Sequence, residues 1–106
     1  MPKYLYQASY TDAGATGLLN EGGSSRRQVF ADLAAEQGGS LEAFYYAFGS
    51  SDLFMIVDLP DAVSAAAISL AVGARGAIRM STVTLLTAEE IDAAVGKTVT
   101  YRAPGD

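Results

Sequence analysis

The sequence predicts a small α+β sandwich, a four-stranded antiparallel sheet with two helices on one face and a short helix near the C-terminal end. Three observations predict it. Leu53-Phe54-Met55-Ile56-Val57 is a short apolar run bounded by the polar turn Gly49-Ser50-Ser51-Asp52 and by Asp58; it reads as a strand buried on both faces. Two helical segments ended by glycines separate the other strands. The resulting order is strand, helix, strand, strand, helix, strand, which sets both helices on the same side of an antiparallel sheet.

The first strand is expected over Lys3–Tyr10, where Tyr4, Tyr6, Ala8 and Tyr10 share one parity. Both parities mix aromatic, aliphatic and polar groups, so neither face reads as freely solvated. Thr11-Asp12-Ala13-Gly14 reads as a turn. Residues 15–23 read as irregular, with Leu18-Leu19 dipping into the core. The first helix is expected from Ser24 or Ser25, capped by the box Ser25-Arg26-Arg27-Gln28. Phe30, Leu33 and Ala34 make its apolar stripe, and Gly38-Gly39 supplies the left-handed residue that ends it.

The second strand is expected over Ser40–Phe48. Glu42, Phe44, Tyr46 and Phe48 then share one face, and Leu41, Ala43, Tyr45 and Ala47 the other. The turn at residues 49–52 makes a hairpin into the central strand. Pro60 stops that strand, and Asp61 caps the second helix, whose stripe is Val63, Ala66, Ala67, Leu70 and Ala71. So many alanines imply close packing on the sheet. Gly73 and Gly76 end the helix, and Ala77–Leu86 forms the fourth strand. Thr87 and Glu90 form a capping box, with Leu86 and Ile91 as a hydrophobic staple, for a short helix ending at Gly96. Residues 1–96 are read as one domain. Residues 97–106 are a C-terminal arm, in which Lys97–Arg102 is either an edge strand or a contact onto a partner. This order is the ferredoxin-like arrangement.

Composition narrows the function. Half of the 106 residues are apolar, which predicts one folded domain rather than disorder. The net charge of -5 and scattered basic residues argue against nucleic acid or an anionic membrane as partner. With no Cys and no His, disulfides, thiolate nucleophiles, imidazole bases and the usual haem ligand are excluded, and no metal or cofactor is expected. No stretch has signal-peptide or membrane-spanning character, so a cytoplasmic location is the expectation.

Two helices cover one face of a four-stranded sheet, and the other face should be polar. Here both parities of the central strand are apolar. That predicts two sheets packed face to face in a homodimer, since a monomer rarely leaves such a patch in water.

Tyr4, Gly38-Gly39, Phe44-Tyr45, Gly49-x-x-Asp52, the strand into Leu59-Pro60-Asp61, the Ala-rich helix, Gly76 and Arg79 together resemble the GYD-domain family. The resemblance runs from Lys3 to about Val95. Ser51 stands where the family's Gly-x-Tyr-Asp turn has its tyrosine, so no role is carried over to that position. The resemblance implies a ferredoxin-like fold akin to the dimeric α/β-barrel proteins, and no particular reaction.

Three groups of residues are candidates for chemistry. Asp58, ending a buried strand, is either a base or ligand anchor with a raised pKa, or a rim carboxylate that is solvated or paired. Arg79 is either an anion clamp or the structural partner of a group such as Asp58. Tyr4, Tyr6, Tyr45 and Tyr46 either line a cavity between two sheets, where phenols orient or protonate a substrate, or are packing. Asp52 reads as a turn residue accepting backbone N–H bonds.

Two functional classes follow. One is a homodimeric assembly or binding module, with a small apolar or aromatic ligand between the sheets. The other is a cofactor-free monooxygenase or isomerase using Asp58 and Tyr45 on an aromatic or enolisable substrate. Nothing in the sequence excludes a purely structural or sensory subunit either. The missing catalytic constellation favours a non-enzymatic role.

Overall fold

The computed structural model describes residues 1–106. The elements are β1 (Lys3–Tyr10), α1 (Asp12–Glu21), α2 (Gly23–Glu36), β2 (Ser40–Tyr46), β3 (Leu53–Asp58), α3 (Ala62–Gly73), β4 (Ile78–Leu85) and α4 (Ala88–Val95). The strands form one open antiparallel sheet in the order β2-β3-β1-β4. This α+β architecture is compatible with the ferredoxin-like fold.

Strict alternation on the two inner strands builds the core. Tyr4, Tyr6 and Ala8 of β1 are buried, as are Leu53, Met55 and Val57 of β3. The register sets Tyr4 opposite Val57, Tyr6 opposite Met55 and Ala8 opposite Leu53, so these residues line one face. Phe30 and Ala34 of α2, Ala65 and Ile68 of α3, and Ile78 of β4 close over them. Leu53, Met55, Val57 and Leu59 are at most 2 % exposed. Burying each such side chain contributes about 1.5–3 kcal/mol.

The first correction to the expected fold is α1, which replaces the turn and irregular stretch expected over Thr11–Gly23. Thr11 is its N-cap. The hydroxyl accepts from the Gly14 amide at 3.3 Å and donates to the Gly76 carbonyl at 2.9 Å, tying α1 to the approach to β4. Gly14 is needed for contact: a Cβ there would lie 2.0 Å from the Ala77 carbonyl oxygen. Leu18 is half-buried, and Leu19 is exposed.

At Gly22 the chain takes φ 84°, a left-handed turn that separates α1 from α2. The N-terminus of α2 therefore falls at Gly23 with no side-chain cap, and the expected Ser25–Gln28 box is not formed. The Gln28 amide instead donates to Asp32 at 2.9 Å. Gly38, with φ 84°, follows the end of α2 as expected.

The second strand ends at Tyr46, not Phe48. An irregularity between Leu41 and Ala43 shifts its phase, setting Leu41 opposite Val57, Phe44 opposite Met55 and Tyr46 opposite Leu53. Leu41 therefore joins Phe44 and Tyr46 on the helix side, correcting the simple even–odd division.

Asp61 caps α3 as expected, accepting from the Ser64 amide at 2.8 Å. Its buried residues are Ala65 and Ile68, however, and the expected stripe faces outward, with Val63 77 % and Leu70 74 % exposed. Nearly every residue of Ala62–Gly73 is apolar or small, so periodicity does not define a phase.

The capping box of α4 is present: Thr87 accepts from the Glu90 amide at 3.1 Å, and Glu90 accepts from the Thr87 amide at 2.9 Å. No residue of α4 is buried. Residues 97–106 form neither strand nor helix. The radius of gyration is 16.9 Å, against about 13 Å for a compact chain of this length. That excess matches a C-terminal segment standing off the sandwich. No helix is long and apolar enough to cross a membrane.

Candidate functional site

The helices cover one face of the sheet, and its other face has no cover from this chain. Register fixes what lies there. Ala43, Ile56, Leu5 and Val83 are successive partners across all four strands and make an apolar row. The next row is Tyr45, Phe54, Gln7 and Ser81. Leu5, Phe54 and Ile56 are half-buried by their neighbours alone, while Tyr45 is 71 % and Val83 39 % exposed.

Asp58 and Lys3 pair directly across β3 and β1 at one end of this face. The Lys3 ammonium donates to Asp58 Oδ1 at 2.8 Å and also to the Glu42 carboxylate. These bonds, Asp58 first and Glu42 second, raise the pKa of Lys3. Asp58 is thus a rim carboxylate already held by a cation.

Arg79 lies at the other end, opposite Ser9. Six residue steps along β1, from Lys3 to Ser9, separate the two positions, about 20 Å at about 3.3 Å per residue. The expected shared neighbourhood of Asp58 and Arg79 is therefore corrected: a strand's length divides them. Arg79 forms no ion pair.

The tyrosines divide by face. Tyr45 points to the open face. Tyr4 and Tyr6 are 4 % and 0 % exposed in the core beneath the helices. The Tyr6 hydroxyl donates to the Ala65 carbonyl at 2.6 Å, and that of Tyr46 to the Gly23 carbonyl at 3.0 Å. The ring of Tyr46 also packs edge-on against Phe44 at 5.3 Å between centroids. Tyr4, Tyr6 and Tyr46 therefore do not line the open face, because the β1 and β2 registers turn them toward α2 and α3.

Asp52 accepts a backbone N–H, as its turn position predicts, but from Tyr10 of β1 at 3.0 Å rather than within its own turn. It pins the β2–β3 hairpin to the neighbouring strand. Ser51 is half-buried beside it. No three carboxylates converge on one point.

Sequence reasoning missed the contribution of Leu5 and Val83 to the open face. The signal was present in Leu5, which stands on the opposite parity to the tyrosines of β1, but it acquires meaning only through the register that joins it to Ile56 and Val83.

The family model for the GYD domain matches residues 4–95. Comparison with the curated proteins and with the solved structures gave no match. The matched residues take in all the helices and strands described above, β1 from its second residue onward. This chain belongs to the GYD domain family.

Proposed function

We propose that this domain is a homodimeric assembly module whose two sheets pair face to face, with the C-terminal arm of each copy reaching over the other. The row Ala43–Ile56–Leu5–Val83 carries the reading. It runs unbroken across the sheet and has a charged rim on one side, at Lys3, Asp58 and Glu42. An apolar centre with a polar border is the composition of a protein interface.

Area shows why the arm belongs to the proposal. Four strands of about seven residues present a face of about 19 Å by 24 Å, or about 450 Å² per copy. Two such faces bury about 900 Å², just short of the roughly 1,000 Å² that a stable pair needs. Leu86, Ile91 and Val95 in and just before α4, and Val99 and Tyr101 on the arm, are each 46–80 % exposed. Placed on a partner, they bring the buried area into the ordinary range.

A small apolar or aromatic ligand held between the sheets would meet Phe54, Ile56 and Tyr45, not Tyr4 or Tyr6. The enzymatic alternative has less support, because its base, Asp58, is engaged by Lys3. Native mass spectrometry and sedimentation at micromolar concentration test the proposal. A dimer that Ile56→Lys splits while the monomer stays folded supports it. A monomeric wild-type chain overturns it.

A further inference from the structure

On the helix side, α2 and α3 stand apart and leave a cleft of about 370 Å³. Its apolar wall and floor include Phe30 and Leu33 of α2, Val72 of α3, and Ile78. The two exceptions to its apolar lining are Arg26, from α2, and Arg75, just beyond α3. A smaller hollow of about 140 Å³ lies beneath α1 and shares Arg26, Ala77 and Ile78 with the cleft. Tyr10 lines that hollow.

Three features mark this region as a site rather than a packing gap. The first is charge. The chain carries -5 overall, yet the polar part of this cleft is two guanidinium groups. Arg75 has no acidic partner, and Arg26 has only an exposed Glu21 at 3.3 Å. The second is preorganisation. The Arg26 guanidinium lies over the Phe30 ring at 5.9 Å, which holds its planar fork at the cleft wall.

The third is an orphan. The Tyr10 hydroxyl oxygen is the one buried side-chain polar atom in the protein without a well-formed hydrogen bond, although the Tyr46 hydroxyl and the Arg26 guanidinium lie close to it. Native proteins seldom leave such an atom unsatisfied without a reason. Burial pushes this phenol up to about 12; the Tyr46 phenol adds to the shift and Arg26 opposes it. Like any tyrosine it is protonated at neutral pH, and its hydroxyl can donate.

We propose that the cleft binds a small apolar carboxylic acid. The hydrocarbon or aromatic body lies between Phe30, Leu33 and Val72 over Ile78. The carboxylate meets the Arg26 fork where cleft and hollow join, displacing the exposed Glu21 carboxylate that lines the hollow, with the Tyr10 hydroxyl as a further donor and Arg75 supplying positive field at the mouth. The volume lies toward the small end of ligand pockets, about 300–1,000 Å³, which fits a medium-chain or single-ring acid. The site is on the opposite side of the sheet from the pairing face, so its occupancy and the oligomeric state are read separately.

Titration of the full chain with decanoate, followed by calorimetry and by amide shifts, tests the proposal; decanol is the control. Decanoate should bind at least about tenfold more tightly than decanol, the effect of one charge-assisted interaction. The shifts should centre on Phe30, Leu33, Val72 and Ile78. Arg26→Gln should weaken decanoate about tenfold and leave decanol unchanged, and Tyr10→Phe should weaken it severalfold. Leu33→Trp, which fills the cleft, should abolish both; unchanged melting of Arg26→Gln confirms that the loss is local. Equal affinity for acid and alcohol, shifts confined to the open sheet face, no binding at millimolar decanoate, or full affinity in Arg26→Gln would each overturn it.

Discussion

The hydroxyl of Tyr6, on a side chain with no exposed surface at the middle of β1, donates to the main-chain carbonyl of Ala65 in α3 at 2.6 Å. One side chain thereby fixes the height of a helix on the sheet. A buried phenol requires a partner, and the helix offers a carbonyl whose second lone pair is available for it. Tyr6→Phe keeps the ring and removes only the bond. Its expected cost is about 0.5–1.5 kcal/mol, or a fall of about 4–8 °C in melting temperature per kcal/mol. Thermal and urea melts check this. Tyr6→Ala empties the core as well and should cost about 3–5 kcal/mol, as large aromatic deletions do.

Tyr6 and Tyr10 also predict an alkaline limit. Burial raises each phenol from 10.0 to about 12. The folded chain therefore holds these protons more tightly than the unfolded chain. Below pH 10 the stabilisation is fully present. As pH rises from 10 to 12 the unfolded state loses its protons first, and stability falls. Melting temperature should be flat from pH 8 to about 9.5 and then drop. Tyr6→Phe and Tyr10→Phe should each flatten that drop, and a drop of unchanged steepness in the double variant would contradict the assignment.

Two glycines of one helix make an internally controlled pair. A Cβ at Gly14 would lie 2.0 Å from the Ala77 carbonyl oxygen, whereas at Gly17 it would meet nothing within 4 Å. Gly14→Ala must push α1 off the segment leading into β4 and should cost about 1–3 kcal/mol. Gly17→Ala keeps the contacts and removes backbone freedom from the unfolded chain, so it should stabilise by about 0.5–1 kcal/mol. Urea melts of the two variants should move in opposite directions.

That glycine pair also explains what was legible in the sequence. Signals carried by local chemistry read correctly: the caps at Asp61 and Thr87, and the left-handed Gly38. The central run, read as buried on both faces, alternates instead, with Leu53, Met55 and Val57 buried and Phe54 and Ile56 half-buried. Gly14 and Gly17 lower helix propensity, so Asp12–Glu21 reads as loop; the tertiary contact of Gly14 is what admits a helix there. The phase of α3 is unreadable because Val63, Leu70 and the alanines make it apolar on all sides. The shift at Leu41–Ala43 inverts one strand's parity with no residue that announces it. The open face was legible as an apolar excess, but its row needs the register. The Arg26 and Tyr10 cleft is a gap between elements far apart in sequence, and no spacing along the chain encodes it.

The pairing face yields the last prediction. Ile56 lies in the middle of the apolar row, flanked by Ala43 and Leu5, and its side chain is on the face away from the core. A lysine there leaves Leu53, Met55 and Val57 untouched, so monomer folding should survive. In a face-to-face dimer it would set a charge against the same charge of the second copy in a desolvated seam, which costs several kcal/mol. Ile56→Lys should therefore shift sedimentation from dimer to monomer at micromolar concentration, with far-ultraviolet circular dichroism unchanged. Val95→Glu, at the exposed end of α4 that leads into the arm, should weaken pairing by about tenfold without abolishing it, since the sheet contact remains. If Ile56→Lys leaves a dimer intact while Val95→Glu splits it, the copies associate through the arms and the outer surface of α3, where Val63 and Leu70 are exposed, and not through the sheets.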